Sequence, residues 1–412
     1  MRRTQAVGAV AVLPLLGALA LGACSARSDS LTPVSGASSA AGSRSAKPSP
    51  STSTATSVYA AAGAGALSAV ARAAKPMVYV PNTLSNSVQL IDPTTYQVVG
   101  RFKVGREPQH VVPSWDLKTL WVNADLANTL TPIDPRTGHH GAPVPVEDPY
   151  NLYFTPDGKH ALVMAERLHR IDVRDPHSMA LQRSLKVPCD GINHADYTAD
   201  LTFFMASCEF NGKLVVADRD ATVVRKVIDL NAIKTPGATS PHEAMHMIGS
   251  PKNGLRPGAS AMPQDVRLTP DGRYFLVADM LRNGVWVIDA ATFTYSRFIH
   301  TGMGAHGIYP SRDGKRIFVA NRDEGSVSVL DASTLAPLTR WVIPGGGSPD
   351  MGGVTADGSE LWLSGRYDNT VYVFDTTTGK VLHKIPVDGG PHGLAVWPQP
   401  GRFSLGHTGN MR

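Results

Sequence analysis

Side chains able to bind metals or move protons recur at one register along this chain. Seven residues ahead of a tight turn, the sequence places Gln109, Tyr150, Asn193, Gln264, His306, Asp350 and His392. His110, His194 and Asp265 follow one position later. Neutral imidazole is a ligand for copper, zinc or iron, carboxylate can complete a mixed set, and amides orient polar ligands. His306, Asp350 and His392 fall in consecutive repeats, so two imidazoles would flank a carboxylate. The alternative role for all of these groups is to hydrogen-bond strand ends and satisfy backbone donors and acceptors.

The elements that position them must repeat as the residues do. Successive register positions are separated by 41, 43, 71, 42, 44 and 42 residues. Between them lie short runs rich in β-branched and aromatic residues: MVYV, SVQLID, YFLVAD, IFVAN, LWLSG and TVYVFD. Asp-Gly pairs at 157–158, 271–272, 313–314 and 357–358 suit tight hairpins. Four strands per period of forty-odd residues is the pattern of a β-propeller, and seven first strands predict seven blades. The interval of 71 is one blade plus an insertion at about 232–262. MVYVPN, SVQLID and QVVGRFKV supply the second to fourth strands of a blade, and PHGLAVWP at 391–398 supplies its missing first strand. Pairing the two ends would close the ring and remove open sheet edges.

The chain here resembles a known family. VYVPN, FLVAD and IFVAN, each followed by ID or LD, look like the YVTN repeats of YncE-like propellers over roughly 77–412. MPQDVRLTPDG, GAHGIYPSRDG, GGGSPDMGGVTADG and PHGLAVWPQPGRFSLGHTGNMR resemble a bacterial extracytoplasmic lipoprotein branch of it. The haem d1 propellers are structural neighbours. The resemblance implies the all-β fold and admits three functions: a binding module, a metal- or haem-dependent oxidoreductase, or YncE-like nucleic-acid binding. The separate electron-transfer haem domain usual in haem d1 enzymes has no counterpart here, so no particular catalysis is expected.

The beginning of the chain suggests its location. Arg2 and Arg3 precede an apolar stretch from Ala6 to Leu21, and Leu21-Gly22-Ala23-Cys24 resembles a lipobox. The expectation is a signal peptide at 1–23 and lipidation of Cys24, which would anchor an extracytoplasmic protein to the bacterial cell membrane. Residues 24–74 are rich in Ser, Ala, Thr, Gly and Pro and read as a flexible, disordered tether, with transient helix from Val58 to Ala74. The propeller is then 75–412. Loss of the two leader arginines takes the formal charge from +5 to about +3. With no basic stripe, nucleic acid is not an expected partner. A monomer with a small ligand or protein bound on its histidine-bearing face is.

In a propeller the register residues stand at one mouth of the central channel, read here as solvent-accessible. The insertion enters that face with His242-Glu243-Ala244-Met245-His246, formally H-E-x-x-H. A Gly/Pro-rich loop does not supply the long buried helix and third ligand of a zinc protease. His242 and His246 one turn apart remain candidates to add to a metal site. Links after second strands bring Arg322 and Arg366 to the same face as anion-binding candidates. Cys189 and Cys208 flank a hairpin at nearly opposed positions, placing a disulfide ahead of a thiolate metal pair outside the cytoplasm.

Overall fold

A computed structural model describes residues 57–235, 255–407 and 409–412 of the chain. They build seven four-stranded antiparallel sheets. Six blades run in chain order, opening with inner strands Pro108–Pro113, Asn151–Phe154, Ile192–Tyr197, Pro263–Leu268, Ala305–Pro310 and Pro349–Val354. The seventh is shared between the ends: Ala395–Trp397 pairs with Met77–Asn82, with Val78 opposite Val396. The predicted closure is therefore present.

Burial falls from the centre outwards. The inner strands are almost wholly buried, as are the VYV- and FLVA-type second strands. Outer strands such as Gln97–Lys103 and Pro337–Val342 are largely exposed. The apolar clusters lie mostly between neighbouring blades, as with Met205, Val216, Phe275 and Trp286. Inner and second strands meet at a recurring turn. The hydroxyls of Thr155, Thr269, Ser311 and Thr355 donate to the Asp two residues on, at 2.5–2.8 Å. The glycine that follows takes a left-handed φ of 68–85°, a conformation open to Gly at little cost. That requirement explains the Asp-Gly repeat.

A second recurring device lies at the opposite end of the inner strands. In five of them one extra residue bulges the pairing: Pro108/His110, Ile192/Ala195, Pro263/Val266, Ala305/Ile308 and Pro349/Gly352. A bulge interrupts strict alternation and re-aims side chains. Neighbours such as Gln109 and His110, Asn193 and His194, and Gln264 and Asp265 are consequently all buried beside the channel.

The stretch 57–74, expected to belong to the flexible tether, instead packs on the propeller. Val58 N–H donates to Pro270 O at 2.8 Å, Gly65 N–H to Ala356 O at 2.8 Å, and Leu67 bridges Gly401. Ser68 caps the short helix Ala69–Arg72, and Ala62, Ala71 and Ala74 are buried. Small side chains permit this close approach. Cys24, the rest of the expected tether to 56, and His242 and His246 lie outside the described residues.

Candidate functional site

Five histidines converge inside the channel. His110, His194, His306 and His392 come from the register predicted by sequence, and His407 comes from the segment after the closing blade. Adjacent ring centroids are 4.6–6.2 Å apart. The expected solvent-accessible mouth needs correction: all five are buried, with His306 and His392 2% exposed. Gln109 and Tyr150 cover them. His392 Nδ1 lies 2.9 Å from Gln109 Oε1, and His110 Nδ1 lies 3.1 Å from Tyr150 O.

His407 reaches the channel because the tail folds back beneath it. Phe154 N–H donates to Leu405 O at 3.0 Å and His407 N–H to Leu152 O at 2.9 Å. Gly406 lies so close to the inner strand that a Cβ there would stand 2.4 Å from Leu152 O. Asn410 Nδ2 donates to Ala195 O at 3.1 Å. Arg412 pairs with Asp196 at 2.6 Å and sits 4.7 Å above the Tyr59 ring. The tail and residues 57–67 together close the lower end of the channel.

The imidazoles form two groups, each with its ligand atoms within 4.8 Å of one another: His110, His194 and His407; and His306, Asp350 and His392. In the mixed group Asp350 Oδ1 accepts from Arg322 Nε at 3.0 Å and Nη2 at 2.6 Å, and lies 3.0 Å from His306 Nδ1. His392 Nε2 is 3.6 Å from Asp350 Oδ2. Arg322, expected as an anion clamp, is therefore turned inward on this carboxylate. In the all-histidine group, the Asn151 amide nitrogen stands 3.1 Å from His194 Nδ1 and 3.3 Å from His407 Nδ1. Asp265 is near as well, 3.7 Å from His407 Nε2 and paired with Arg267 at 3.5 Å.

Burial sets the charge state. It drives His110 down to about 3 and the other four imidazoles well below their ordinary range. The rings are therefore neutral, the form that coordinates a metal. Burial raises the Asp350 carboxyl, against the downward pull of Arg322 and Arg366, and raises Asp265 to about 6. Two buried ring nitrogens, His110 Nε2 and His194 Nε2, have no hydrogen-bond partner among the described residues. Such atoms are rare in folded proteins and call for an explanation.

Above Gln109 and Tyr150 a cavity of about 660 Å³ opens on the face the sequence identified. Asp125, Glu166, Glu209, Arg167, Arg256 and Arg366 line it. Burial raises Asp125 to about 8 and also raises Glu166 and Glu209. Arg366, an expected anion-binding residue, thus faces the cavity, and its buried Nη1 has no hydrogen-bond partner among the described residues. Gln264 is buried, its amide donating to Met262 O at 3.3 Å. The insertion contributes Arg256, which pairs with Asp190 at 2.6 Å. Cys189 and Cys208 are joined, with S–S 2.04 Å, so they are not thiolate ligands.

Haem does not fit the imidazole cluster. The rings stand too close together to admit a planar macrocycle between them, and none of the five lines the cavity.

Solved structures share the fold at low identity. A functionally unknown protein from Desulfotomaculum acetoxidans superposes with a TM-score of 0.60 at 15% identity, covering 79% of this chain and all of that one. Kuenenia stuttgartiensis hydrazine synthase gives 0.57 at 18%, covering 74% and 94%. Dihydro-heme d1 dehydrogenase NirN gives 0.54 at 14%, covering 78% and 75%. No curated protein matches by sequence. The YNCE-like beta-propeller family model matches residues 51–188 and 248–400. With that match and the seven closed blades, the chain belongs to the YncE-like β-propeller family.

Proposed function

We propose that this protein is a lipid-anchored, extracytoplasmic binding propeller whose ligand is a transition-metal ion held by the channel histidines. The observation that carries the reading is the convergence of five buried imidazoles, two of which hold a ring nitrogen with no hydrogen-bond partner among the described residues, below an open polar cavity. Neutral imidazole with carboxylate suits copper, zinc or iron. The cavity provides the entry path, with Gln109 and Tyr150 as its floor. The likeness to NirN supports the shared fold alone, and the oxidoreductase reading has no residue-level support. The weak net charge disfavours nucleic acid.

Metal analysis of the full chain purified without chelator tests this reading. About one equivalent of a transition metal is expected. A preparation free of metal that also refuses added Zn²⁺ and Cu²⁺ would sink it. Anchoring is tested separately: Cys24→Ala is expected to abolish lipidation, releasing the propeller or leaving unprocessed precursor. Membrane-bound variant at the mature mass of the native protein would exclude the lipobox reading.

A further inference from the structure

The two imidazole groups are not equivalent, and the difference points to one of them. Resting on the metal reading above, we propose that the metal seat is His110–His194–His407, with the tail contributing the third ligand so that a bound metal clasps the tail into the channel.

Three observations carry this assignment. First, the three rings come from three separate segments, two bulged inner strands and the tail, and all are completely buried. Such convergence has no apolar packing motive, because imidazole is a poor filler for a core. Second, the ring of His110 is oriented as metal ligands are. Its Nδ1 faces the carbonyl of Tyr150 and must donate to it, which leaves the lone pair on Nε2, and that atom has no partner. A ligating histidine ordinarily donates its other ring nitrogen to a carbonyl or carboxylate in this way. His194 and His407 both turn Nδ1 lone pairs on the Asn151 amide nitrogen, at 3.1 and 3.3 Å, so their available donor atoms face one point and a bound metal would take the place of that amide. Third, the mixed group holds a fixed charge pair. Asp350 carries the guanidinium of Arg322 on one oxygen, and a cation bound there would face that fixed positive charge. Neither His110 nor His194 hydrogen-bonds an arginine among the described residues.

Three neutral imidazoles form a donor set suited to zinc, copper, cobalt or nickel, with a position left for a further ligand. His110 packs edge-on against Tyr150, which lines the cavity, and beside His392. His407 enters from the opposite end, on a tail bent by Gly406 and Gly409 at φ +105° and +152°. Metal bound here would tie the two ends of the channel together.

The experiment is a Co²⁺ titration of the chelator-stripped full chain in detergent, followed by the visible absorption of the bound ion. Wild type and the double variant His306→Ala with His392→Ala are expected to bind one Co²⁺ with affinities within about threefold. His407→Gln should weaken binding at least about tenfold. Loss of binding in the double variant with retention in His407→Gln would overturn this seat while leaving the metal reading intact; no binding by wild type would end both. Should His407→Gln fail to fold, hydrogen exchange of wild-type amides in 399–412 decides. Zn²⁺ is expected to slow it at least about tenfold, and unchanged exchange in the metal-bound protein would refute the clasp.

Discussion

The two sides of the channel hold similar residues in opposite electrical situations. On one side His306, Asp350 and His392 surround a carboxylate already matched by Arg322. On the other, His110, His194 and His407 are imidazoles without a close carboxylate–guanidinium pair of their own, although Asp265 and Arg267 stand behind His407. The first arrangement is a closed ion-pair network, in which each charge depends on its partner. The second consists of neutral rings, two of them turned on the amide of Asn151. Adjacent positions of one repeat, joined by a residue of the tail, therefore end in two situations, a charge-paired network on one side and neutral rings on the other.

The contrast is broken most directly at Asp350. Asp350→Ala would leave Arg322 buried and uncompensated, which costs about 3–5 kcal/mol. His194→Gln removes at most one neutral hydrogen bond and should cost about 1 kcal/mol. Denaturant unfolding of the two metal-free variants measures this. Equal losses would show that the two sides are not different in kind.

A smaller effect sharpens the comparison on the neutral side. The unfolded chain protonates an ordinary histidine below about pH 6.5, whereas His110 in the folded protein resists protonation until about pH 3. This imidazole therefore withdraws stability as pH falls from 6.5 towards 3, by about 2 kcal/mol at pH 5. Relative to wild type, metal-free His110→Gln should gain that amount between pH 8 and pH 5. A stability difference between the two proteins that does not change with pH would mean that His110 is solvated or charged in the folded state.

Much of this was legible in the sequence, for reasons that differ by region. The blades repeat, so each Asp-Gly turn confirmed its neighbours and set the register of Tyr150, Gln264, His306 and Asp350. The same register identified His110 and His194 one place on, where the bulges later proved to lie. Burial was not legible, because register gives a strand end and not what covers it. His407 was missed for a related reason: the tail has no repeat partner against which to align. The available signal was a histidine in LGHTG, beyond the strand that already completes the ring. Residues 57–74 misled through composition. Alanine, serine and glycine lower the drive to fold alone, but they also allow a segment to lie flat on a surface made by others.

Closure by Ala395–Trp397 imposes an order of events. Met77–Lys103 emerges from the ribosome before any other blade strand, yet its innermost partner is synthesised after all six remaining blades. That pairing has the largest sequence separation of any in the ring, and contacts of that kind form slowly. Until then the first blade presents an open edge, and the channel has no complete wall. The tail follows the closing strand in the chain, so His407 comes to its place only as the ring is finished. An ion found beside it marks a molecule whose assembly is complete.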